Sequence, residues 1–103
     1  MDYYKSNTVS HTTSGKYRCT VSDIAAGNYI AVVSNGGIYA NNNPTIQDIA
    51  NGTGTLIESV EANNQFSRAN VFSLSLSDTG SVTFEANSTV SDAKLGMSVI
   101  LIK

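Results

Sequence analysis

Hydrophobic and polar residues alternate along much of the chain with the period of two that marks a strand buried on one face. In the clearest case, Phe72, Leu74 and Leu76 alternate with serines. β-branched and aromatic residues, which favour strands, fill several of these segments. Strands are predicted at 16–22, 28–34, 38–40, 55–62, 69–77, 81–86 and 96–103.

The most continuously apolar run is the last one, Gly96–Lys103. A run this short favours a strand covered on both faces over a helix, which usually needs about 10 residues or more. Alternation predicts that Ile100 and Ile102 share one face of the strand and that Val99 and Leu101 share the other. One of these faces needs a cover besides the domain's own core. A loop and the N-terminal segment are alternatives, but we favour another subunit and predict a subunit interface at this strand.

Residues typical of turns separate several of the predicted strands. Asp78-Thr79-Gly80 and Asn35-Gly36-Gly37 are typical of hairpin turns, because Gly and Asn accept positive φ. Asn51-Gly52-Thr53-Gly54 predicts a further turn. Residues 45–50 have two interpretations, a loop or a single helical turn.

The fold class follows from about seven short strands at the spacing of an all-β domain. We predict an antiparallel β-sandwich with jelly-roll or immunoglobulin-like topology. The chain has no Trp, so the hallmark of true immunoglobulin domains is missing. A length of 103 residues fits one domain at 15–103, preceded by a polar arm at 1–14 that is either loosely held or ordered against a neighbouring subunit.

The amino-acid composition narrows the classes of binding partner. Only 14% of residues are charged, while 35 are Asn, Ser or Thr. A net charge of -2 and scattered basic residues argue against nucleic acid, which requires clustered Lys and Arg. No apolar run approaches the roughly 20 residues of a membrane span, and the N-terminus lacks the features of a secretory signal peptide. We therefore expect neither nucleic acid nor membrane as a partner.

Candidate chemistry is sparse. His11 is the only histidine and Cys19 the only cysteine, so neither a histidine-rich metal site nor an internal disulfide is predicted. The eight carboxylates show no spacing that selects an acid–base pair. We predict no catalytic, cofactor-binding or metal site and no enzymatic activity.

One surface is a candidate for ligand recognition, namely the polar loop that follows the predicted strand at 28–34. It contains Tyr39 and the run Asn41, Asn42 and Asn43. Tyr and Asn are residue types that adaptable binding surfaces use. This loop is the basis of an alternative function, a carbohydrate-binding or adhesin-type module whose partner is a cell-surface glycan.

The second half of the chain resembles small β-sandwich modules of bacteriophage virions. The resemblance lies in Gly54–Ile57, Ala69–Ser77, Asp78–Phe84 and the closing Gly96–Lys103. It implies a capsid decoration protein, a head fibre or a tail-associated domain, without catalysis. It also implies a symmetric homo-oligomer, with a trimer favoured, that contacts other virion proteins. The expected location is the virion, assembled in the host cytoplasm.

Overall fold

In a computed structural model, the chain forms an all-β fold in which six strands join into one antiparallel sheet. The structure describes residues 1–11, 15–37, 43–62, 67–88 and 95–103. The strands are β1 (Tyr3–His11), β2 (Gly15–Ile24), β3 (Gly27–Gly37), β4 (Thr45–Ala62), β5 (Ser67–Ser88) and β6 (Leu95–Ile102).

The long β5 strand organises the sheet. One of its edges pairs with β4 along most of its length. Its other edge pairs with β3 in the first half and with β2 in the second half. Beyond β3 the sheet continues through β6 to β1, so the last strand is an inner strand with a neighbour on each side.

The sheet curls until β1 lies beside β2, which makes it nearly a barrel. Side chains of β1 bridge the remaining gap to backbone carbonyls of β2. The Asn7 Nδ2 donates to the Thr20 carbonyl at 2.7 Å. The Lys5 Nζ donates to the carbonyls of Ser22 at 3.0 Å and Asp23 at 2.9 Å. These bonds partner carbonyls that would otherwise face an open sheet edge.

The core fills the inside of this curled sheet. The alternation in β2, β5 and β6 directs every second side chain inward, where the apolar residues are buried. Phe72 and Phe84, from the two halves of β5, pack with ring centroids 5.0 Å apart. This contact requires β5 to bend, because the two residues lie far apart along an extended strand.

The bend replaces the hairpin predicted at 78–80. β5 continues through these residues, and the four residues 77–80 lie opposite the single Asn51 of β4. Asn51 adopts a φ of 65°, and its Nδ2 donates to the Thr79 carbonyl at 2.8 Å. The expected turns at 78–80 and 51–54 are therefore wrong. Their Gly and Asn residues form one bulged corner between neighbouring strands, where bulges commonly bend a sheet.

Other strand boundaries also differ from the predictions. Residues 45–50 open β4 instead of forming a loop or a helical turn, and 35–37 extend β3 instead of turning. Residues Tyr3–His11 of the predicted arm pair with β6 of the same chain. The predicted sandwich of about seven strands is not confirmed, because the described residues form six strands in one sheet. Predicted strands merge at the corner, and Ile38–Ala40 lies outside the described residues.

Candidate functional site

The predicted recognition loop is described only at its end. Tyr39, Asn41 and Asn42 lie outside the described residues. Asn43 is exposed, and its Oδ1 accepts a hydrogen bond from the Arg68 Nη1 at 3.1 Å. Arg68 also donates to the Glu61 carboxylate at 2.9 Å, with only 8% of its side chain exposed. Asn43 is thus held against the body of the protein by a largely buried arginine.

The last strand separates its two faces as alternation requires. Val99 and Leu101 are fully buried in the core. Ile100 is 39% exposed, and Ile102 is half-buried on the same outward face. Of the four residues predicted at a subunit interface, only these two are therefore positioned to contact a partner.

Apolar residues on neighbouring strands extend this outward face. Val32 of β3 pairs with Ile100 of β6 on one side and with Val71 of β5 on the other. In the next row, Ile30 pairs with Ile102. Paired residues in antiparallel strands point to the same side of the sheet. We call these five residues the outer patch.

The β4 strand adds exposed apolar residues beside the outer patch. Leu56, Ile57 and Val60 are 51%, 56% and 57% exposed. The edge of β4 that faces away from β5 pairs with no other strand among the described residues. Sequence reasoning treated Leu56 and Ile57 as anchors of a strand. The sequence did carry a signal of this exposure, because Leu56 and Ile57 are adjacent and consecutive strand residues point to opposite faces. In the edge strand β4, neither of them is buried.

A groove opens on the same side of the sheet, toward the Gly27 end of β3. Its volume is about 380 Å³. It is lined by Met1, Asn28, Tyr29, Ile30, Thr53, Gly54, Thr55, Ser73, Leu74, Ser75, Ile102 and Lys103. Sequence reasoning missed this groove, because its residues come from separate strands and carry no motif.

A pair of tyrosines supports one end of the groove. The rings of Tyr4 and Tyr29 lie 4.9 Å apart, and both hydroxyls bond to the backbone of Ala25. The hydrogen bond that Ala25 N–H donates lowers the pKa of Tyr4, whereas burial raises the pKa of Tyr29. The Lys103 Nζ lies 5.5 Å from the centre of the Tyr29 ring, a cation–π distance.

Several other titratable side chains lie in structural positions. Arg18 donates to the Glu85 carboxylate at 2.6 Å on the sheet surface, with Lys16 at 3.8 Å. Cys19 is fully buried, and burial raises the pKa of its thiol. Within the described ranges, no three His, Cys, Asp or Glu side chains are grouped as metal ligands would be. No helix there is long and apolar enough to cross a membrane.

Comparison with known proteins supplies no relative. No protein-family model matches the chain, and neither a curated protein nor a solved structure matches it. Functional inference therefore starts from the outer patch, the β4 edge and the groove.

Proposed function

We propose that this protein is a non-enzymatic structural module that assembles with copies of itself through the outer patch and the adjoining β4 edge. The observation that carries the proposal is the exposure of Val60 and Ile100 at outward positions of the sheet, with Ile57 also exposed on the edge strand β4. Contiguous apolar surface of this kind commonly marks a protein contact.

Charge favours a second copy as the occupant. Outward residues that are paired across the strands form rows: one row contains Ile100, Val32 and Val71, and the next contains Ser34 and Val60. Glu58 is the only charged residue in these two rows. A nearly neutral face can meet an identical face without like-charge repulsion. A strongly charged partner would find no complementary charges there.

The available area also supports self-association. Because the sheet curls, only neighbouring strands share one face: β6, β3 and β5 at about 4.8 Å spacing span roughly 14 Å, and seven residues along β3 span roughly 23 Å. These strands offer on the order of 300 Å², and the rest of the ~800 Å² that each partner contributes to a standard interface would come from β4. The 18-residue β4 edge supplies further area and unpaired backbone groups.

The resemblance to bacteriophage modules suggests the setting. We propose a virion accessory role, as a capsid decoration protein, head fibre or tail-associated domain, with a trimer as the assembled form. In this proposal, the two layers of the predicted sandwich are the two halves of the bent sheet, which pack over a shared core. Contact between Phe72 and Phe84 across the corner of β5 supports that description.

Light scattering after size exclusion tests the assembly. We expect about three times the protomer mass of 10.9 kDa for the unmodified chain. The charged variants Ile57→Lys and Ile100→Lys should shift the mass toward one protomer, because each buries an unpaired ammonium in the contact. Thr79→Lys, at an exposed corner position, is the matched control and should assemble like the parent.

Two results would overturn the proposal. One is a strict monomer for the unmodified chain at high protein concentration. The other is unchanged assembly in both isoleucine variants, with circular dichroism showing that they are folded. A different number of subunits that still depends on Ile57 and Ile100 supports the surface and corrects the trimer.

A second candidate function is recognition of a carbohydrate, as in an adhesin-type module. The groove favours it, because a volume of about 380 Å³ lies in the range of small-molecule sites. The groove shares Ile30 and Ile102 with the outer patch, so carbohydrate binding and self-assembly would compete for this face. A glycan array tests the candidate, and binding to no glycan would exclude it.

A further inference from the structure

We propose that two copies of the chain pack face to face around a two-fold axis that lies over the outward pair Ser34 and Ser98, the serine row. This contact rests on the proposed self-assembly and deepens it, because it states which residues of the outer patch meet which residues of the second copy. An apolar row of each copy enters a glycine-lined hollow of the other. A two-fold contact joins copies in pairs, so it replaces the trimer that the resemblance suggests with a dimer.

The hollow lies beside the outer patch, and its volume is about 310 Å³. Gly36 of β3 and Gly96 of β6 line it and are paired with each other, and we call them the glycine row. Because glycine has no side chain, the outward side of the sheet is bare at this row. The serine row also lines the hollow, and the other lining residues are Thr8, Asn35, Arg68 and Met97.

The fold of the single chain does not account for glycine at position 96. Positive φ values occur at Gly15 and Gly27 but not at Gly96. A Cβ at Gly96 would meet only the Val9 carbonyl oxygen, at 3.3 Å. Glycine in a paired strand leaves nothing to pack, and it often marks a place where a ligand or another backbone approaches closely. A bare position at Gly96 therefore suits the close approach of a neighbouring molecule.

The spacing of the rows makes this face complementary to itself. The apolar row at Val32 and Ile100 lies two residues from the serine row along both strands, and the glycine row lies two residues away in the opposite direction. A two-fold axis along the serine row reverses the strands of the second copy and keeps each strand over its counterpart. Ile100 then lies over Gly96 of the second copy, and Val32 lies over Gly36 of the second copy.

Packing and charge favour this axis over the other face-to-face arrangement. An axis along the strands would stack apolar row on apolar row and leave the two hollows facing each other, which forfeits dispersion contacts. Through Ala69, the serine row continues to Val60 of β4. Glu58, two residues from Val60, would therefore face position 62 of the second copy. Like charges do not meet across the contact.

A double-mutant cycle on the dissociation constant, measured by light scattering over a dilution series, tests the contact. We expect the parent to reach about twice the protomer mass of 10.9 kDa. Ile100→Ala shortens the side chain that enters the hollow, and Gly96→Val fills the hollow. Each variant should weaken self-association by about 10-fold.

The double variant decides whether the two positions meet. The shortened side chain leaves room for the added valine, so we expect about 10-fold weakening in place of the roughly 100-fold loss of two independent changes. Within one chain, positions 96 and 100 lie roughly 13 Å apart along β6, too far for direct coupling. Non-additive losses would therefore come from contact between copies.

Ser81→Val is the matched control, because it adds a valine at an outward position on the second half of β5, outside the hollow. It should assemble like the parent, and circular dichroism verifies that every variant is folded. A mass of three protomers, or losses that multiply in the double variant, would overturn the two-fold contact and leave assembly through the outer patch standing. A parent that stays a monomer at high concentration would overturn both.

Discussion

At the scale of single residues, the corner of β5 depends on groups that tolerate close backbone approach. A Cβ at Gly80 would collide with the backbone carbonyl of Ala50, and one at Gly52 would collide with the carbonyl of Ser75. Both obstacles are backbone atoms of a paired strand, which cannot move aside as a flexible side chain can. These glycines therefore serve the packing of two strands rather than a reverse turn.

Gly80→Ala is expected to destabilise the protein by about 1–3 kcal/mol, the usual cost of inserting a methyl group into a packed site. Gly96→Ala is the matched control, because its Cβ would meet only the Val9 carbonyl oxygen at 3.3 Å. Urea unfolding of both variants measures the difference. Equal stabilities would show that the corner can relax and that Gly80 is not required for it.

At the scale of elements, β1 shows how a polar segment becomes part of a sheet. Its outward and inward positions lack the apolar alternation of the other strands, so its sequence predicted an arm. Backbone pairing with β6 and side-chain bonds from Lys5 and Asn7 to β2 hold it instead. Backbone hydrogen bonds form whatever the side chains are, which is why the pattern did not reveal this strand.

Asn7→Ala should loosen the contact between β1 and β2, because it removes the bond to the Thr20 carbonyl. We expect a loss of about 0.5–1.5 kcal/mol and faster hydrogen exchange of β1 amides. Asn28→Ala is the comparison, since Asn28 is an exposed strand asparagine without a side-chain bond to the described residues. If both variants exchange alike, the side-chain bridge does not hold β1 in place.

At the scale of the whole molecule, the buried core makes stability sensitive to alkaline pH. Burial raises the pKa of Cys19 above its ordinary value of 9.0. Burial also raises the pKa of Tyr17 above 10.0, although the Asn35 hydrogen bond and the Arg68 charge act in the opposite direction. A raised folded-state pKa for an acid means that the unfolded chain ionises first. Stability is therefore complete below the ordinary pKa values and falls as pH rises through the folded ones.

We expect the free energy of unfolding to be steady below pH 9.0, to decline above pH 9.0 as the unfolded Cys19 ionises, and to decline more steeply above pH 10.0 as the unfolded Tyr17 ionises. Tyr17→Phe removes one ionising group, so its decline above pH 10.0 should be shallower than that of the parent. Its loss of the bond from Asn35 lowers stability at every pH and does not affect the slope. Urea unfolding of the parent and the variant across this pH range measures both the loss of stability and the slope of the decline. An identical slope in the variant would exclude Tyr17 as a contributor.

Much of the sheet was predictable because burial imposes a period of two on the side chains. β2, β3 and β6 lie close to their predicted positions, and the cores of β4 and β5 fall within predicted strands. The joins between strands were not predictable, because Gly and Asn serve a bulge as well as a turn. The groove was hidden for another reason: residues such as Asn28, Thr55 and Ser73 become neighbours only when three strands pair.

The sequence by itself determined that the protein is all-β, because alternation and β-branched residues leave no helical stripe. It also determined that Ile100 and Ile102 share a face opposite Val99 and Leu101, since consecutive strand residues point to opposite sides. Only the tertiary structure decided which face is outward and which strands flank it. Pairing between distant segments depends on backbone hydrogen bonds and on the curl of the sheet, and neither is written in a local pattern.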